Sequence, residues 1–162
     1  MAYKGLEVYL TDHLAGATAG VNLAEMAAQE HRSDEHGAFF GEIASEIKAD
    51  YERLQQLIAE LGVEQSATKN AAAEIGTKVM APKFTGGDDD KLNAFITLET
   101  LGMGIEGKLC MWKALKLVDD SNPTLQACDM DALIARAESQ RERIEAKRLE
   151  VAPQALAHTA EV

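Results

Sequence analysis

From Leu6 to His31 one set of positions recurs at helical spacing. Leu6, Tyr9, Leu10, His13, Ala17, Gly20, Val21, Ala24 and Ala27 share a side, while Glu7, Thr11, Asn22 and Glu25 face away. A second helix carries Phe39, Phe40, Ile43, Ile47, Leu54, Leu57, Ile58 and Leu61 inward, with Asp50 on the same stripe and Gly62 as its stop. Ser33 or Asp34 is its expected N-cap. A turn as short as Arg32 to His36 makes these two helices an antiparallel hairpin.

The third long helix begins at the Asp88-Asp89-Asp90 run, which serves as cap and acidic first turn, and extends to about Val118. Leu92, Phe95, Ile96, Leu98, Met103, Ile105, Leu109 and Cys110 form one broad apolar side, and Glu99 and Glu106 fall in its middle. After a turn at Asp119 to Pro123, Asp129 or Asp131 caps the last helix. It turns Leu133, Ile134, Ala137, Ile144 and Val151 inward and meets Pro153, leaving a frayed tail over 154–162. Between the hairpins, Gly62 to Gly87 is far longer than a turn requires. Ser66 can cap a shorter helix from Ala67 to Ala81, which Pro82 ends. No segment alternates as a strand would. The expectation is one all-α domain over 1–162: a ferritin-like antiparallel four-helix bundle, two hairpins joined by a long crossover containing a shorter helix.

A resemblance extends this reading. Asp12-His13-Leu14-Ala15-Gly16, Ile105-Glu106-Gly107-Lys108-Leu109 with Trp112, and Arg136-Ala137-Glu138-Ser139-Gln140-Arg141 together resemble a group of small, uncharacterised bacterial ferritin-like proteins. The likeness spans nearly the whole chain and implies the fold, with no activity attached. Ferritin-like oxidases hold two metals with a Glu from each of two helices and a Glu-x-x-His from each of the other two. Here Leu10, Ala28, Ser33 and Ala155 stand three residues before His13, His31, His36 and His158, so no Glu-x-x-His exists.

Arg141 and Arg148 offer a reason. Setting the last two long helices antiparallel, with Val118 opposite Asp129, brings Glu106 level with Arg141 and Glu99 level with Arg148. The expectation is a buried Glu–Arg core that neutralises the carboxylates and repels divalent ions, in place of a di-metal site. His13 and Asp50 complete the inward polar set, about a helical turn out of level, with His13 a satisfied core histidine. The alternative is a degenerate carboxylate protein binding Fe or Mn through Glu99, Glu106, Asp50 and His13, with redox activity. A solvated turn is expected at His31, Glu35 and His36 rather than a surface metal site.

Two glycine patterns bear on function. Gly16 and Gly20, one turn apart, each cost about 1 kcal/mol against Ala in a helix. Close approach of a neighbouring helix is the expected compensation, and room for a bound ligand near the glycines of the first and third long helices the alternative. Gly102-Met103-Gly104-Ile105-Glu106-Gly107 matches a dinucleotide fingerprint and, with Lys108, nearly a phosphate loop. Both motifs need free amides between a strand and a helix, whereas these glycines fall inside a helix. Gly102 is expected to allow close packing instead.

Composition narrows the partners. Apolar residues make up 46% and aromatics 5% of the 162 residues, a profile of Ala- and Leu-rich helices. A net charge of −11 disfavours nucleic acid and anionic membrane. No apolar run reaches the length of a signal peptide or a membrane span. Cys110, expected as a small core residue, and Cys128 are too few for a disulfide scaffold, which places the chain in the cytoplasm. The expected role is non-catalytic, with any activity in an interaction surface such as a homodimer face.

Overall fold

The first two stripes become α1 (Lys4–Glu30) and α2 (Gly37–Glu60) in the computed structural model, which describes residues 3–63 and 89–157. Gly62, at φ +70°, takes the left-handed conformation that ends α2. The cap at the other end differs from expectation. His36 is the N-cap of α2 and makes no side-chain cap bond. Asp34 instead braces the turn: Oδ1 accepts from the His36 amide at 2.8 Å, and Oδ2 is hydrogen-bonded to His31 Nδ1 at 2.6 Å. That turn is not simply solvated, because His31 is buried with its ring stacked on Phe40.

The second hairpin comprises α3 (Asp90–Lys116), a 3₁₀ turn at Asp119–Ser121, the single-turn α4 (Pro123–Gln126) and α5 (Met130–Leu156). Asp89 caps α3 by accepting from the amides of Lys91 and Leu92, Asn122 caps α4, and Asp129 caps α5 through the Ala132 amide. α5 does not stop at Pro153 but carries it inside the helix to Leu156. The expected helix over 67–81, with its Ser66 cap and Pro82 stop, lies outside the described residues, as does 158–162.

All regular elements among the described residues are helical. α1 packs on α2, α3 on α5, and α1 more loosely on α3. Ion pairs set the directions. Glu42 meets Arg143 and Asp50 meets Arg136, so α5 is antiparallel to α2; Glu99 meets Arg148 and Lys116 meets Asp131, so it is antiparallel to α3 as well. α2 and α3 therefore run in the same direction. Among the described residues no helix is long and apolar enough to cross a membrane.

The apolar interior falls into two clusters stacked along the helices. One gathers Leu10, Leu14, Leu54, Leu57, Leu109, Trp112 and Leu133; the other gathers Val21, Phe40, Ile43, Phe95, Leu98, Ile105 and Ile144. Between Ile47 and Leu54 on α2 stands Asp50, between Ile105 and Leu109 on α3 stands Lys108, and between Ala137 and Ile144 on α5 stands Gln140. A polar layer thus crosses the core at mid-height.

Candidate functional site: a polar layer beside a glycine-walled cavity

Asp50 is 4% exposed, and no buried carboxylate is stable without partners. It has three. Lys108 Nζ donates to Oδ2 at 2.5 Å, Gln140 Nε2 donates to Oδ2 at 3.0 Å, and the Arg136 guanidinium pairs with Oδ1. Gln140, wholly buried, also accepts from Lys108 Nζ through Oε1 at 2.5 Å and donates to Glu46 Oε2 at 3.0 Å. Arg143 closes the network by bridging Glu42 and Glu46. Burial pulls the Lys108 pKa below the ordinary lysine value, against the opposing pull of Asp50. The layer holds its charges in mutual pairs, which is the condition for keeping them inside.

The expected Glu–Arg core is not this layer. Arg141 Nη1 does donate to Glu106 Oε2 at 2.9 Å and Arg148 Nη1 to Glu99 Oε2 at 3.3 Å, in the expected register. Both pairs lie at the surface, however, with the Glu99 and Glu106 side chains 50% and 51% exposed. They border an open groove beside α3 and α5 rather than the core. The Arg141 guanidinium holds the Glu106 carboxyl below the usual glutamate range. Helical phase explains the correction. The buried residues of α3 are Ala94, Phe95, Leu98, Leu101, Ile105, Leu109, Met111, Trp112 and Leu115. Glu99 and Glu106 sit roughly a third of a turn round from that stripe. Met103, 64% exposed, and the exposed Cys110 had drawn the apparent apolar side toward them. The buried cysteine is Cys128, whose Sγ lies 3.2 Å from Arg53 Nη2.

Two rows of arginines flank the buried stripe of α5. Arg141 and Arg148 reach α3 on one side, while Arg136 and Arg143 reach α2 on the other. Of these only Arg136 pairs with the buried Asp50, its own side chain 40% exposed. Sequence reasoning passed over Lys108, Arg136 and Gln140, although a signal existed: Gln140 is in phase with Leu133, Ala137 and Ile144, and Lys108 lies three residues after Ile105.

At the same level, α1, α2 and α3 line a partly open cavity of about 430 Å³ among the described residues. His13 and Asp50 both border it, which places two of the inward polar groups at one site. No hydrogen bond joins them among the described residues. The His13 ring instead meets Tyr9 edge-on at 4.5 Å. Burial lowers the His13 pKa, with Asp12 opposing.

Gly16 and Gly20 of α1 and Gly104 and Gly107 of α3 line this space. A Cβ added at any of them would meet no atom within 4 Å among the described residues. Among the described residues no neighbouring helix comes close at Gly16 or Gly20, and there these glycines wall an opening. At Gly102 α5 does come near, with a Cβ reaching Ile144 Cγ2 at 3.5 Å. The glycines of the apparent phosphate motif all lie within α3.

The four residues of the Fe or Mn alternative do not converge. His13 and Asp50 face the cavity, Glu99 and Glu106 the opposite groove, and Asp50 is already held by two cations. Among the described residues no three His, Cys, Asp or Glu side chains are placed to hold a metal ion. No protein-family model, curated protein or solved structure matches the chain.

Proposed function

We propose that this chain is a non-catalytic ferritin-like four-helix bundle in which protein cations stand where carboxylate-bound metals would otherwise sit. One observation carries the reading: the buried Asp50 carboxylate is held by Lys108, Arg136 and Gln140, so its charge and lone pairs are already engaged. The parallel course of α2 and α3, each antiparallel to α5, supports the ferritin-like connectivity. A metal in this layer would have to displace an ammonium and a guanidinium, and their positive charge opposes a divalent ion. The layer's role in this reading is to set helix register, since each of its members finds its partners in only one alignment.

Elemental analysis of the protein purified from iron- and manganese-supplemented growth tests this. Metal is expected far below one atom per chain. Near-stoichiometric metal that is lost in Asp50→Asn or Glu106→Ala would overturn the reading and restore the Fe or Mn carboxylate alternative.

A further inference from the structure

We propose that the cavity between α1, α2 and α3 binds a neutral, largely apolar small molecule carrying one acceptor oxygen, which the Trp112 indole N–H recognises. The observation that points to a ligand is Trp112 itself. It is 0% exposed, it lines the cavity, and among the described residues its Nε1 has no hydrogen-bond partner. Buried indole N–H groups normally find an acceptor, so an oxygen placed in the adjoining space would remove a standing cost.

The walls agree with a ligand of this kind. A space of about 430 Å³ lies within the range of small-molecule sites. Four helix-interior glycines border it with nothing opposite them among the described residues, an arrangement that there keeps room open rather than bringing backbones together. Leu23, Ile47, Leu54, Leu101, Ile105 and Met111 supply apolar surface for the body of the molecule. The charged groups at the rim argue for a neutral one. Asp12 borders the space and repels an anion, while Asp50 and Lys108, which also border it, are paired with each other. A cation would meet Lys108 in turn. The site is independent of the metal question, because it uses the apolar half of the cavity and Trp112 rather than the Asp50 carboxylate.

Trp112 is the only tryptophan of the chain, so its emission reports on the cavity directly. The full chain is titrated with three molecules of similar apolar body: benzylacetone, phenylbutyrate and butylbenzene. The ketone is expected to give saturable binding about tenfold tighter than either the carboxylate or the hydrocarbon. Trp112→Phe, followed by calorimetry, is expected to remove the preference of ketone over hydrocarbon. Gly104→Leu is expected to weaken ketone binding by about tenfold or more by filling the space, with helical circular dichroism and melting temperature retained. No saturable binding of any probe, or binding indifferent to Gly104→Leu, would overturn the site. Equal affinity for butylbenzene would overturn the role of Trp112, and tightest binding of phenylbutyrate would overturn the neutral ligand.

Discussion

Lys108 Nζ donates to Asp50 Oδ2 at 2.5 Å inside the protein, tying α3 to α2 at the level where the two apolar clusters meet. Asp50 is 4% exposed and the Lys108 side chain 16%, so water screens little of this pair. Lys108→Met leaves the carboxylate with Arg136 and Gln140 alone and should destabilise the fold by about 3 kcal/mol in urea unfolding. Adding Asp50→Asn should cost less than the sum of the two single changes, by a coupling of about 1–3 kcal/mol. Additive effects would show that the two side chains do not interact.

The surface pairs should behave differently. Arg141→Ala removes one ion pair and Arg148→Ala two, to Glu99 and Glu145, each with a glutamate about half exposed. Their effect on melting temperature should be small, and it should disappear on adding salt, since water and counterions already screen these charges. A large, salt-independent loss in Arg141→Ala would mean that this pair is buried in solution.

Alanine at the cavity glycines should stabilise. Gly16, Gly20 and Gly104 are inside helices with no atom of the described residues where a Cβ would go, so each change to Ala should add about 0.5–1 kcal/mol through helix propensity. Gly37→Ala is the opposite case: its Cβ would lie 2.6 Å from the His31 carbonyl oxygen and 2.9 Å from that of Arg32. Backbone cannot yield cheaply there, and a loss of about 1–3 kcal/mol is expected. Chemical denaturation of the four variants checks both directions.

His13 supplies a pH dependence. Burial lowers its folded-state pKa from the ordinary 6.5, so on acidification the unfolded chain takes up the proton first. Stability from this residue is therefore fully present above 6.5 and falls as pH drops from there to the lowered folded value. The difference in unfolding free energy between wild type and His13→Asn, followed across this window, should shrink or reverse as pH falls. A proton-detected titration of His13 at or above the ordinary value would contradict the assignment.

The ends of the helices were readable because capping is local: Asp89, Asp129 and Gly62 act on amides or carbonyls a few residues away. The turn at Asp34 escaped because His31, buried against Phe40, shares the carboxylate that would otherwise cap α2. The register of α3 against α5 was also legible, since a short connection fixes which residues are level and Glu106 does meet Arg141. Being level does not make a pair buried. That depends on rotation about the helix axis, where a shift of one residue swings a side chain by about 100°.

Periodicity and capping, both confined to neighbours along the chain, were enough to establish the helical class, the long elements and the alignment of the second hairpin. The side-chain contacts of α5 with two helices at once decided that Asp50, Lys108, Arg136 and Gln140, and not Glu99 and Glu106, form the interior polar layer. Among the described residues the glycines of α1 and α3 face open space. Neither outcome is a property of one helix: α3 is apolar around most of its circumference, so only its neighbours select the side that is buried.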